Sequence, residues 1–184
     1  ISDNHYASFT GQSTLNICKK LCNQFNLSCK PQELVDQKRL HFKKLFFTDS
    51  SLKLIEGVLE LIKNYHNNGL TLVLASSASM TTINNVFTRF ELDKYFISKL
   101  SGADLKASKP HPEIFEKAVK VTRFNKNECM VIEDSTNGIK AAIAAGIFCI
   151  GYKSLHSKNQ DYTLANKVIL DFHEIYFEEM IPFF

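Results

Sequence analysis

Two stretches near the start of the chain place apolar side chains at the spacing of an α-helix. Over residues 12 to 26 they are Leu15, Ile17, Cys18, Leu21, Cys22 and Phe25; over residues 32 to 47 they are Leu34, Val35, Leu40, Phe42, Leu45 and Phe46. A 3.6-residue repeat gathers such groups on one stripe, which a helix buries against a neighbour. Pro31 stands at the predicted start of the second helix, where its missing N–H costs nothing. Thr48-Asp49-Ser50-Ser51 reads as a connector and helix start. Residues 1–48 are thus expected to form a small all-helical element.

After residue 48 the rhythm changes to an alternation of helix and strand. A helix is predicted from about Leu52 to His66, stopped by Asn67-Asn68-Gly69, a sequence that accepts the left-handed backbone of a helix end. Leu70 to Ala75 is a continuous apolar run and reads as a buried strand. A helix follows from Ser79 through Ile83, Val86, Phe87 and Phe90, then a short strand over Ile97 to Leu100 and a helix from Pro112 to Val121. Cys129-Met130-Val131-Ile132 is the next strand, and the Ala-rich run Ile139 to Ala145 is its crossover helix. Phe148 to Gly151 and Val168 to Leu170 are further strands, and Phe172 to Met180 reads as a last helix. The tail Ile181-Pro182-Phe183-Phe184 is expected to pack on the sheet edge. Strands separated by helices imply an α/β fold, a doubly wound parallel sheet, over residues 49–184.

Composition narrows the possible partners. With 184 residues, 45% hydrophobic and 22% charged, the chain can bury a core of its own. A net charge of +3 is too small to argue for nucleic acid. The basic pairs Lys19-Lys20, Lys38-Arg39 and Lys43-Lys44 read as solvated helix faces, or alternatively as a weak attraction for an anionic substrate. No apolar run approaches the roughly 20 residues that span a bilayer, and no signal-peptide pattern is present. The five cysteines are odd in number and scattered. Cys18 and Cys22 share a helix face, but no second Cys or His pair completes a zinc site, so they are read as packing residues. A reduced, cytoplasmic, monomeric protein is expected. The chain opens on Ile1 rather than Met, which suggests a piece of a longer polypeptide.

The candidate chemistry lies at strand ends. Ser76-Ser77 directly follows one strand, Lys109-Pro110 lies in the loop after the next, and Glu133-Asp134 ends the third. Ligands of open α/β sheets gather at the carboxyl ends of strands. A hydroxyl with free backbone N–H groups can cradle phosphoryl oxygens, a lysine supplies point charge, and paired carboxylates repel unless a cation joins them, so Glu133 and Asp134 suit Mg²⁺. Each has a plainer alternative. Asp134 could cap the helix, Ser76 and Ser77 could be turn residues, and Lys109 could be a surface lysine. His5, His41, His66, His111, His156 and His173 show no metal spacing and read as surface or loop residues.

Three segments together carry a resemblance. Leu72-Val73-Leu74-Ala75-Ser76-Ser77, Ala107-Ser108-Lys109-Pro110-His111-Pro112-Glu113-Ile114-Phe115 and Val131-Ile132-Glu133-Asp134-Ser135-Thr136-Asn137-Gly138-Ile139 are similar to the second, third and fourth motifs of the haloacid dehalogenase-like superfamily. More narrowly, the chain resembles the phosphatase and β-phosphoglucomutase branch with a helical cap. Gly11-Gln12-Ser13 resembles the cap loop of that branch, and Glu56-Gly57-Val58 the turn before its second-motif helix. The resemblance implies a cap remainder over residues 1–48. It also implies that Ser76 binds the transferring phosphoryl group, that Lys109 neutralises its charge, and that Asp134 with Glu133 holds Mg²⁺. Ser77, Gly11 and Asn137 would face the substrate, a small phosphorylated metabolite.

One family motif has no counterpart here. Members open with a central strand ending in Asp-x-Asp, whose first aspartate is the nucleophile and whose second is the general acid/base. Asp3 is followed by Asn4 and His5 with no apolar strand before it, and Asp104 sits in a loop. Without that strand the sheet would have a slot with unpaired backbone, so roughly 20 to 40 further N-terminal residues are expected, and the chain without them should be inactive. Completed, it should act through a phosphoaspartate. The mutases of this branch carry an Arg shortly after the cap-loop Gly. Here Gly11 is followed by Gln12-Ser13-Thr14, which favours a phosphatase, with a phosphomutase as the alternative. A dehalogenase, which needs no metal, would leave Glu133-Asp134 unexplained. A non-catalytic phospho-ligand or protein-binding member is the reading of another class.

Overall fold

The computed structural model describes residues 1–183. Its first part is helical: α1 (Asp3–Ala7), α2 (Thr14–Gln24) and α3 (Pro31–Thr48). The Ser13 hydroxyl caps α2 by accepting from the Asn16 N–H, and Pro31 occupies the first turn of α3. Cys18 and Cys22 of α2 and Val35 and Phe46 of α3 are buried. The stripe predicted for α3 is only partly used, since Leu40 and Leu45 are exposed.

The remainder is α4 (Val58–Asn67), β1 (Leu72–Ser76), α5 (Met80–Arg89), β2 (Phe96–Ser101), α6 (Glu113–Thr122), β3 (Met130–Glu133), α7 (Thr136–Ala145), β4 (Phe148–Tyr152), β5 (Lys167–Ile169) and α8 (Phe177–Met180). The pairings are parallel: β1 with β2 and β3 with β4, each joined through a helix, and β4 with β5, joined through the loop 153–166. Leu61 and Tyr65 of α4 pack with Ile150, Ile169 and Phe172 on one face. Ile114 and Phe115 of α6 and Ile139 of α7 pack with Cys149 on the other. Burial pushes the Tyr65 phenol up, and its hydroxyl donates to the Ile175 carbonyl at 2.5 Å. Among the described residues, no helix is long and apolar enough to cross a membrane.

The sheet is in two pieces, β1-β2 and β3-β4-β5. Between them lies a cleft of about 650 Å³, lined by Leu72 to Ala75 of β1 and Met130 to Glu133 of β3 and flanked by α4 and α6. Every residue of β1 and β3 is half-buried, whereas Cys149, Ile150 and Gly151 of β4 are buried. Apolar strands of a parallel sheet are ordinarily covered on both faces.

Two predicted helices need correction. The helix expected from Leu52 begins at Val58, because Gly57 holds a left-handed backbone (φ +79°) that ends helical propagation toward the N-terminus. The connector before it is held by Arg89, whose guanidinium donates to the carbonyls of Phe46 and Asp49, the latter at 2.7 Å. The helix expected over Phe172 to Met180 is a 3₁₀ turn (Phe172–Ile175), an extended Tyr176 (ψ 161°) and the short α8. Asp171 and Glu174 open the 3₁₀ turn as a capping box, and the extended backbone of Tyr176 ends it. The Phe183 ring stands 5.5 Å from that of Phe148 on β4. Phe184 lies outside the described residues.

Candidate functional site

The motif residues meet where β1, β2 and β3 end. Ser76 closes β1 opposite Ser101 of β2, and its hydroxyl accepts from the Ala78 N–H at 3.2 Å. Gly102 lets the strand ends approach, since a Cβ there would lie 3.1 Å from the Ser77 Cα and 3.2 Å from the Ser76 carbonyl oxygen. Lys109, on the loop before α6, is only 5% exposed. Its ammonium forms an ion pair with the Glu133 carboxylate, donates to the Ala75 carbonyl at 3.2 Å, and lies 4.6 Å from the centre of the Phe115 ring. Lys109 therefore bridges the end of β1 and the end of β3 through Ala75 and Glu133, two residues that line the cleft.

The two carboxylates have separate partners. Glu133 is fixed by Lys109 and by the Ser135 hydroxyl, which donates to it at 3.0 Å. Gly138 makes this geometry possible: a Cβ there would come within 2.0 Å of the Glu133 carboxyl carbon. Asp134 instead accepts from the Ser157 hydroxyl, and its backbone carbonyl accepts from the Tyr162 hydroxyl at 3.1 Å. Burial and then the neighbouring Asp134 charge push the Tyr162 phenol up. Asp134 does not cap α7, because the Ser135 hydroxyl does so by accepting from the Gly138 N–H at 3.0 Å. Burial, and after it the charge of Glu133, push the Cys149 thiol up to about 12, which leaves it an inert packing group.

The carboxylate oxygens are of the right kind for Mg²⁺ but too few. Glu133 is spent on Lys109 and Ser135, and among the described residues no group of three or more metal-ligating side chains exists. The residues present do not by themselves make up a Mg²⁺ site.

Ser77, Gly11 and Asn137 are brought together, and they join the cap to the strand ends. The Ser77 hydroxyl donates to the Gly11 carbonyl at 2.6 Å. The Asn137 amide donates to the carbonyls of Thr10 and Ser8 at 2.7 and 3.1 Å, and the Ser108 hydroxyl accepts from the Ser13 N–H at 2.7 Å. Gly11 adopts φ +83°, and a Cβ on it would lie 2.3 Å from the Ser135 hydroxyl oxygen. Sequence reasoning missed Ser108, Ser157, Gln160 and Tyr162. Ser108 sits within a quoted motif, but residues of the β4–β5 loop (153–166) carry no local signal of what they meet across the fold.

Comparison with known proteins finds relatives that match most of this chain. The bifunctional riboflavin kinase/FMN phosphatase of Arabidopsis thaliana is 30% identical over 171 residues, covering 92% of this chain and 44% of that protein. A phosphorylated carbohydrates phosphatase of Thermotoga maritima is 32% identical over 128 residues, covering 70% of this chain and 59% of that protein. The chain thus spans about half the length of these relatives. The fold is that of β-phosphoglucomutase from Clostridium difficile, with a TM-score of 0.84 at 23% identity, covering 100% of this chain and 82% of that one. The family profile described as haloacid dehalogenase-like hydrolase matches residues 1–152, which include the cap loop, Ser76, Lys109 and the Glu133-Asp134 turn. The chain belongs to the haloacid dehalogenase-like hydrolase family.

Proposed function

We propose that this chain carries the electrostatic half of a phosphoryl-transfer site, and that the enzyme it builds is a phosphatase for a small phosphorylated metabolite such as a sugar phosphate. The observation that carries the reading is Lys109, a buried cation held by Glu133, a residue that lines the cleft between β1 and β3. The relative named as a phosphorylated carbohydrates phosphatase supports the substrate class.

In this reading an aspartate enters on a strand seated between β1 and β3. Its carboxylate oxygen attacks phosphorus in line. The bond to the ester oxygen breaks, and the leaving alkoxide takes a proton from the second aspartate of an Asp-x-Asp pair. Water then cleaves the phosphoaspartate, which releases phosphate and restores the carboxylate. Lys109 offsets charge on the phosphoryl oxygens, and the Ser76 hydroxyl donates to one of them. Glu133 keeps the Lys109 ammonium aimed at the cleft. The cap loop, fastened by Ser77 and Asn137, excludes water and encloses the metabolite. Asp134 would hold Mg²⁺ only together with the aspartates of that strand, and the ion would there offset charge on the transferring phosphoryl group.

The test is phosphate release from sugar phosphates by the intact gene product, with and without Mg²⁺, beside Lys109→Ala and Asp134→Asn. Release that needs Mg²⁺ and falls by about 10²-fold or more in both variants is expected. Conversion of a sugar phosphate to its isomer without phosphate release would make the enzyme a mutase. Undiminished release in both variants would overturn the assignment.

A further inference from the structure

The β4–β5 loop (153–166) touches both the carboxylate turn and the cap, and it does so within six residues. The Ser157 hydroxyl donates to the Asp134 carboxylate, and the Tyr162 hydroxyl donates to the Asp134 carbonyl at 3.1 Å. Between them, the Asn159 amide donates to the Asn4 side chain of α1 at 3.0 Å, and the Asp161 N–H donates to the Thr136 hydroxyl at 2.8 Å. Gln160 faces both ways. Its amide oxygen accepts from the Thr136 N–H at 2.9 Å, and its amide nitrogen donates to the Ala7 carbonyl at 3.1 Å and to the Lys158 carbonyl at 3.0 Å.

The chemistry of these groups is specific to a primary amide. The Thr136 N–H belongs to the first residue of α7 and has no partner within its helix, as for every N–H of a first helical turn. The Ala7 carbonyl closes α1, where it accepts from the Thr10 N–H at 3.1 Å and takes the Gln160 amide on its second lone pair. An amide side chain offers an acceptor and a donor from one planar group, and so can serve both ends at once. The donor half is satisfied by Ala7 only when the cap is seated.

We infer that Gln160 is a positioning residue that couples seating of the cap to the Asp134-Thr136 turn. Its donor side reads the cap and its acceptor side holds the start of α7, while Ser157 in the same loop holds Asp134. The coupling to chemistry rests on the proposed reading of Asp134. The docking itself does not, and it is measured without substrate.

Hydrogen exchange of the full chain tests the inference. The Ser13 N–H, bonded to Ser108 across the same junction, reports cap seating, and the Thr136 N–H reports the α7 end. Gln160→Glu keeps an oxygen for Thr136 and removes the donor to Ala7. It is expected to raise exchange at Ser13 by about fivefold, the effect of one lost hydrogen bond, and leave Thr136 protected. Gln160→Ala is expected to raise both. The inference is overturned if Ser13 exchange is unchanged in both variants, or if exchange rises equally throughout β4 and β5, which would assign Gln160 to general stability. Absence of phosphate release by the intact gene product would count against the proposed function and leave this result intact.

Discussion

Lys109 and Glu133 face each other in an ion pair whose side chains are 5% and 10% exposed, at the junction of two separate parallel sheets. A pair this dry is held by its hydrogen bonds as much as by its charge. Lys109 has the Ala75 carbonyl besides, and Glu133 has the Ser135 hydroxyl. Removing one partner strands the other charge in a poor solvent.

Lys109→Met should therefore destabilise the fold by about 3–5 kcal/mol, and Glu133→Gln in the same background should recover most of the loss. Urea denaturation of the single and double variants checks this. An additive double variant would show that the two charges do not depend on each other.

Gly138→Ala tests the contact beneath the pair. A methyl group 2.0 Å from the Glu133 carboxyl carbon forces that side chain or α7 to move. A loss of about 1–3 kcal/mol is expected in thermal unfolding, with Gly69→Ala as the comparison. A methyl at Gly69 would meet nothing within 4 Å, so any loss there reflects its φ of +79° alone.

The cap connector hangs on Arg89. Its guanidinium donates to the Phe46 and Asp49 carbonyls and lies 5.1 Å from the Phe46 ring and 5.7 Å from the Phe90 ring. Arg89→Ala should cost about 1.5–3 kcal/mol, and Arg89→Lys should restore little, because an ammonium cannot fork between two carbonyls while stacking on a ring. Limited proteolysis at residues 49–57 and the unfolding midpoint read the two effects.

Acid should weaken the fold through its hydrogen-bonded carboxylates. The Lys117 ammonium and then the Ala107 N–H hold Glu113 below 4.5, the backbone N–H groups of Asp171 and Leu170 do so for Glu174, and the His173 N–H holds Asp171 below 3.8. With native values depressed, the unfolded chain binds more protons as the pH drops. Their stabilisation is complete above the unfolded values and is lost as pH falls through the native ones. Urea midpoints should fall between about pH 5 and about pH 3, less steeply in Asp171→Asn; an unchanged slope in that variant would remove Asp171 from the set.

Local pattern made much of this molecule readable. Continuous apolar runs marked β1, β3 and β4, and Pro31 and Gly69 marked helix ends, because those residues act on their own backbone within a turn. Misreadings arose where a distant group intervened. Leu52 to Gly57 is not helical, because Gly57 turns left-handed and Arg89, far along the chain, holds the preceding carbonyls. Leu40 and Leu45 belong to a helical stripe but remain exposed, since a stripe says nothing of which element will face it.

By itself the sequence determined the alternation of strands and helices, the family, and the delivery of Ser76, Lys109, Glu133 and Asp134 to strand ends, since each depends on spacing along a few residues. Only the tertiary structure decided how those groups divide. It assigned Glu133 to Lys109 and Asp134 to Ser157, turned Ser77 and Asn137 toward the cap loop, put Gln160 between cap and α7, and left a cleft between β1 and β3. Partners separated by 23 to 153 positions are chosen by how the chain folds back on itself, and the spacing of neighbouring residues carries no record of that choice.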